Sequence, residues 1–263
     1  MENLFSQFAP VLRDVSDTEL AAETASPQRL LIDSAPHGQK RLDVAYAPFD
    51  HVNMAADIVI VGLTPGRQQM RNALMEARRL LRQGRSEAEA MEAAKVFASF
   101  SGPMRAKLVA MLDSIGVNRL LGLQSTGSLW NGDARRVHFT SALRYPVFVD
   151  GANYSGMPSI LSTPLLRAHL MKWFAMEMHS LPNAIFVPLG PKVAEAVEVV
   201  AQERGVDQER VLAGLPHPSG ANAERIAFFL GRKDRADLSA KVVPERLLAA
   251  RAALETKIGI LVD

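Results

Sequence analysis

The sequence predicts an α/β fold: a three-layer α/β/α domain around a central, mainly parallel four-stranded sheet. Short β-branched apolar runs ending at a glycine or proline recur along the chain, as buried parallel strands do. DIVIVGLTPG (57–66), RVHFTSALRYP (136–146), AIFVPLGP (184–191) and VLAGLPHP (211–218) are the four. Helical segments separate them, and that alternation favours a parallel sheet covered by helices. A third observation is that GLTPG, SALRYP, LGPK and LPHPSGAN all fall at the carboxyl ends of the strands, where ligands bind in such sheets.

In order along the chain, residues 2–15 suit a helix, and SDTELAAET (16–24) carries the Ser-x-x-Glu pattern of a capping box. RLLIDSA and RLDVAYAPF flank the turn-like PHGQ, which suggests a hairpin; a helix–loop reading of the same stretch is the alternative. Residues 1–56 form an N-terminal extension packed on the core, and 57–263 the domain proper. After the first strand come helices over 66–82, 86–98 and 103–115. Residues 163–179 form a helix before the third strand and 191–204 one after it. AERIAFFLG (223–231) follows the fourth strand. A last helix starts at Pro244, a residue favoured in a first turn, and ends near Lys257.

The bulk numbers exclude more than they select. The chain has 263 residues, 48% of them apolar, a formal charge of +2 and no cysteine. Without cysteine there is no disulfide, thiolate metal site or iron–sulfur cluster. The six histidines show no HxxxH-like ligand spacing, so no metal is expected. MENLFSQFAP lacks the features of a signal peptide, and no apolar run reaches the ~20 residues of a bilayer span. A cytoplasmic monomer without cofactor or membrane association is the expectation.

Two motifs carry the chemistry. In GLTPG, Gly62, Pro65 and Gly66 make a tight strand-to-helix turn. It is either a plain structural turn or one whose free N–H groups face an anion. In LPHPSGAN, Pro216 and Pro218 stiffen the backbone on both sides of His217. Ser219, Gly220 and Asn222 then turn the chain into a helix.

A glycine-bounded turn after the first strand, with HPS roughly 150 residues later after the last, resembles the two signature motifs of the uracil-DNA glycosylase superfamily. FSGPMRAKLVAMLDSIGV (100–117) looks like its segment carrying a base-stacking Phe. HFTSALRYP sits where the family has its strand-end Asn loop, and FVPLGPKVAEAV looks like its next strand, glycine turn and helix. The resemblance covers about residues 57–232, and lies nearest the cysteine-free mismatch-specific and single-strand-selective branches.

It implies base flipping and hydrolysis of an N-glycosidic bond in DNA, double- or single-stranded. His217, neutral, would donate to the charge developing on the base, with Thr64 at the water-activating position. Gly62, Leu63, Pro65, Gly66, Phe100 and Ser141 would bind the base. Pro218, Ser219, Gly220, Ala221 and Asn222 would press on the DNA strand. Two positions depart from the pattern. Thr64 stands where active branches have Asp or Asn, and a hydroxyl cannot act as a base near neutral pH. Ser141 stands for the base-reading Asn and lacks the paired donor and acceptor of an amide. Gly66 replaces the bulky aromatic that excludes 5-substituted bases in the uracil-strict branch, which implies room for a larger modified base. No lysine lies in either motif, which implies a monofunctional enzyme. Two rivals remain: a relative that binds DNA or a nucleobase without cutting, and an enzyme acting on a nucleoside or nucleotide.

RQQMRNALMEARRLLRQGR (67–85) holds six arginines and one acid, Glu76. At 100° per residue Arg67, Arg71, Arg78, Arg82 and Arg85 fall within about 60° of one another. Arg67, Arg71, Arg78 and Arg82 are the candidates to follow a phosphate backbone. The competing reading is a solvated face paired with acids of the next helix. Trp130, Trp173 and the methionines of MKWFAMEM read as packing, His138 as structural, and His169 and His179 as helix-surface residues.

Overall fold

The computed structural model describes residues 4–99 and 103–262. The fold is mixed α/β, as the sequence predicts. Among the described residues seven strands occur: β1 (Leu31–His37), β2 (Lys40–Ala45), β3 (Ile58–Gly62), β4 (Val137–Ser141), β5 (Val147–Val149), β6 (Ala152–Asn153) and β7 (Ile185–Pro188). They form a sheet of order β1-β2-β5-β6 and another of order β4-β3-β7.

The chain divides into two compact units, each assembled from three separate segments. Unit 1 comprises residues 1–52, 62–99 and 139–177; unit 2 comprises 53–61, 100–138 and 178–263.

Unit 1 contains the antiparallel sheet. β1 and β2 make the expected hairpin, Leu31 opposite Ala45 and His37 opposite Lys40. β5 extends it, Leu42 opposite Val149, and β6 follows. Helices Phe5–Asp14, Asp17–Ala25, Arg67–Arg82 and Glu87–Ala98 belong to the same unit. Two of them start at reciprocal capping boxes, Ser16 with Glu19 and Ser86 with Glu89, which satisfy N–H groups that a helix start leaves unpaired. Phe8 stacks on Tyr46 with ring centroids 4.1 Å apart. The predicted 163–179 helix is interrupted: Leu170–Phe174 winds as a π turn between Pro164–His169 and Ala175–Ser180. Trp173 is packing, as expected. His169 is buried rather than on a helix surface.

Unit 2 holds the pairing of β3 with β7, parallel from Ile58 opposite Ile185 to Val61 opposite Pro188. All five residues of β3 are buried, which explains its unbroken apolar run. Helices Pro103–Ile115, Pro191–Arg204 and Pro244–Val262 bury Leu108, Met111, Leu112, Val197, Val200 and Leu254.

The parallel sheet has three strands, not four. Val211 makes one isolated parallel bridge to Phe186, and Leu212 N–H donates to Phe186 O at 2.8 Å. Gly214 then adopts φ +131°, outside strand geometry, and Pro216 and Pro218 lack the N–H groups a ladder needs.

Candidate functional site

In unit 2 the segment after that bridge presents His217. Gly190, at the end of the turn after β7, has φ +91° and donates its N–H to Leu215 O at 3.1 Å. A Cβ there would lie 3.5 Å from the Cβ of His217, so the left-handed backbone, rather than space, calls for glycine. Pro216 and Pro218 are buried on either side of the half-buried imidazole.

The Ser219 N–H donates to His217 Nδ1 at 3.3 Å. Nδ1 is therefore the acceptor and the ring proton sits on Nε2. Burial holds the imidazole pKa below its ordinary value, so the ring is neutral at pH 7. The site presents a fixed neutral N–H donor.

The loop behind it is braced from within the unit. Asn222 Nδ2 donates to Ser219 Oγ at 3.3 Å and Arg225 Nη1 donates to Asn222 Oδ1 at 3.1 Å. Arg225 Nη2 reaches Lys241 O at 2.7 Å. Glu224 accepts from Lys233 Nζ and from Ser239 N–H and Oγ–H, which hold its carboxyl at about 2. Gly220 and Ala221 are left exposed at the tip.

Unit 1 brings GLTPG and SALRYP side by side. Gly62 O accepts from Ala142 N–H at 2.8 Å and Leu63 O from Leu143 N–H at 3.0 Å, so the half-buried Ser141 ends β4 beside the turn. Thr64 is a clasp: its Oγ–H donates to Tyr145 O at 2.9 Å and its Oγ accepts from Val147 N–H at 3.2 Å. Its single proton is committed, leaving one lone pair for anything else.

Pro65 is buried, and the N–H groups that follow it are engaged. Gly66 N–H donates to Gln69 Oε1 at 3.0 Å and Arg67 N–H to Asn153 Oδ1 at 3.0 Å. Within GLTPG the structural-turn reading therefore holds at Gly66. Phe100 lies outside the described residues.

The arginine stripe is likewise engaged within unit 1. Arg78 is buried, donates to Val15 O at 3.1 Å and pairs with Asp17. Arg82 donates to Arg13 O and Val15 O, both at 2.9 Å. Arg67 donates to Thr24 O, Ala25 O and Gly151 O, and its guanidinium stacks 4.5 Å from the Phe148 ring centroid. These groups staple the carbonyl-rich ends of the first two helices, where four C=O groups have no helical partner. Arg71 and Arg82 are the exposed members of the four, Arg67 is half-buried and Arg78 is buried. Arg85, at 3.4 Å from Glu89, pairs with the next helix.

Over 202 residues the chain is 34% identical to the uncharacterized protein YoxB of Bacillus subtilis (strain 168), covering 76% of this chain and 79% of that protein. It belongs to the YoxB family. No model of a known protein family matches it, and no solved structure matches it.

The largest feature of this YoxB-family chain that sequence reasoning missed is a cluster of four charged side chains buried in unit 1. Asp50, Lys95, Arg144 and Glu177 are each at most 4% exposed. Arg144 Nε donates to Glu177 Oε1 at 2.5 Å. Asp50 accepts from Leu4 N–H at 2.7 Å, Tyr145 Oη at 2.5 Å and Tyr46 Oη at 3.2 Å. Lys95 Nζ donates to His51 O at 2.6 Å. Burial pulls the Lys95 ammonium down to about 8 against the opposing pull of Glu177. Burial, then the Asp50 carboxylate, pushes both tyrosines well up. Two cations and two anions cancel in formal charge, the condition under which charges persist away from water. The signal was present in the sequence as lone charges within apolar runs: Lys95 in AAKVFA, Arg144 in ALRYPV, Glu177 in FAMEM.

Among the described residues no group of three or more histidines or carboxylates is placed to hold a metal ion. No helix among them is long and apolar enough to cross a membrane.

Proposed function

We propose that this chain is a DNA glycosylase-like protein that recognises uracil, or a modified or mismatched base, in DNA and hydrolyses its N-glycosidic bond. The observation that carries the reading is His217: neutral through burial, its Nδ1 engaged by Ser219 N–H, its proton on Nε2. As the C1′–N bond breaks, its electron pair moves onto the base and negative charge builds on a carbonyl oxygen. A fixed neutral donor stabilises that charge without losing its proton, and preorganised donors of this kind are worth about 10²–10³ in rate. Water then adds to the oxocarbenium carbon, and its proton passes to the departed base or to solvent. No strong base is required in that order of events, consistent with a Thr64 whose hydroxyl holds the loop instead. Contact with the DNA strand falls to the Pro218–Asn222 loop rather than to the stapled arginines.

A second reading, binding of DNA or a nucleobase without cleavage, is favoured by one observation: Thr64 has its proton committed to Tyr145 O. One experiment separates the two. Labelled oligonucleotides carrying uracil, mismatched thymine, hypoxanthine or bulky 5-substituted pyrimidines are incubated with the wild type and with His217→Ala, then treated with alkali. Base release that drops by about 10²–10³ in the variant supports the glycosylase. Salt-dependent binding with no release from any oligonucleotide moves the function to the second reading.

A further inference from the structure

The last helix of unit 2, Pro244–Val262, buries Leu254 and Ile258 on its inner side. That side packs on helices Pro103–Ile115 and Ala223–Phe229 of the same unit. Its outward side departs from the rule that the exposed face of a surface helix is charged or polar. From Leu248 to Val262 the exposed positions hold one charge, Glu255. Val243, Leu248, Ile260 and Val262 are all exposed large apolar side chains. Among the described residues no other stretch of this length exposes as many.

At 100° per residue Leu248, Ala252, Thr256 and Gly259 fall within about 80° of one another. Alanine and glycine in that strip let another backbone approach closely, while Leu248 near one end and Ile260 near the other supply bulk. The strip is also neutral, because Glu255 Oε1 accepts from Arg251 Nε at 2.9 Å. A face of net charge repels its own copy; this one does not. A twofold axis level with Ala253 reverses the order of the Arg251–Glu255 pair, so the acid of one copy lies toward the base of the other.

We infer that this face binds the same face of a second copy of the chain, the two helices running antiparallel about a twofold axis, in place of the monomer expected from the sequence. Leu248 of each copy then lies over the partner's Gly259, and Ala252 over the partner's Ala252 and Thr256. Bulk meets a gap and the reversed ion pairs match, which is the self-complementarity an isologous contact requires. The contact is confined to one 19-residue helix, at the low end of interface sizes, under about 1,200 Å² in total. The dimer is therefore weak and reversible. His217 takes no part in it, so the inference stands or falls independently of the DNA chemistry.

Sedimentation equilibrium of the 263-residue chain from roughly 5 to 500 µM tests this. The weight-average mass is expected to rise from that of one chain toward twice that value. Ala252→Arg puts a charge in the middle of the strip and Leu248→Lys one against the partner's Gly259. Each should weaken dimerisation by at least about tenfold. Both positions are exposed, so far-UV circular dichroism should match the wild type. Raising salt from roughly 0.1 to 1 M should leave the association intact, because screening acts on charges and this contact is mainly apolar. The mass of one chain at every concentration overturns the inference, a result on the wild type that needs no variant to fold. So does a wild-type dimer that dissolves in high salt. A dimer that both substitutions leave intact overturns it too, because the contact then lies on another surface.

Discussion

Glu177→Gln probes the buried charge cluster most directly. Glu177 and Arg144 expose 1% and 0% of their side chains and meet at 2.5 Å. Removing one partner leaves the other ionised away from water, which costs about 3–5 kcal/mol in buried pairs. For a chain of this size that corresponds to a fall in Tm of roughly 6–20 °C. The cluster also has an outlet. Arg144 does not release a proton, but Lys95, drawn to about 8 by burial, can. Glu177 is the charge that most supports the Lys95 proton, so its loss lowers that pKa further. At pH 6.5 the variant cluster carries two cations against Asp50; at pH 9.5 Lys95 is neutral and Arg144 balances Asp50. The cost of the substitution should therefore be smaller at pH 9.5. Thermal unfolding followed by circular dichroism at both pH values measures it. A loss under about 1 kcal/mol at pH 6.5, a surface-pair value, or an equal loss at both pH values would refute the argument.

Lys95 alone gives a sign for the wild type. Its folded pKa is depressed from 10.5 to about 8, so between those values the unfolded chain holds a proton that the folded one has released. Stability should rise with pH through that window, and Lys95→Met should flatten the rise in a pH series of urea melts. Thr64→Val leaves Tyr145 O and Val147 N–H without their partner and should cost about 1–3 kcal/mol. Base release per folded molecule should stay at the wild-type level; a hundredfold loss would return Thr64 to the chemistry. Arg78→Ala should lower the urea midpoint while the salt dependence of DNA binding keeps its slope. A slope reduced by about 0.9 would restore Arg78 to a phosphate contact.

What the sequence disclosed was what is decided locally. The capping boxes at Ser16 and Ser86 need residues only three apart, and the Leu31–Ala45 hairpin is declared by its turn. β5, three residues long, exists because β2 offers it an edge about a hundred residues away, and nothing in VFVDGAN states that; the two-residue β6 pairs with β5 alone. The expected fourth strand failed at Gly214 and the two prolines, whose backbone demands outweigh the apolar run Val211 begins. The arginine stripe was aligned as helical geometry requires. Periodicity says which residues share a face but not what that face meets, and here it meets helix-end carbonyls. At the candidate site the prolines and glycine around His217 were legible. Its tautomer depends on Ser219 N–H and its neutrality on burial, and both belong to the folded chain.

The interleaving of the two units constrains the order in which the polypeptide can mature during synthesis. Every segment of unit 1 has been made once residue 177 has been added, whereas unit 2 waits for residues 178–263. Until then β3, five buried residues reading IVIVG, exists without β7, its parallel partner more than a hundred residues downstream. Such long-range parallel pairing forms slowly, and an apolar strand with an unpaired edge invites association between nascent chains. A chain stopped after residue 177 would hold a complete unit 1 and carry that strand with its β7 edge permanently bare. Neither unit can be released by a single cut, because each is assembled from three separate segments of the chain.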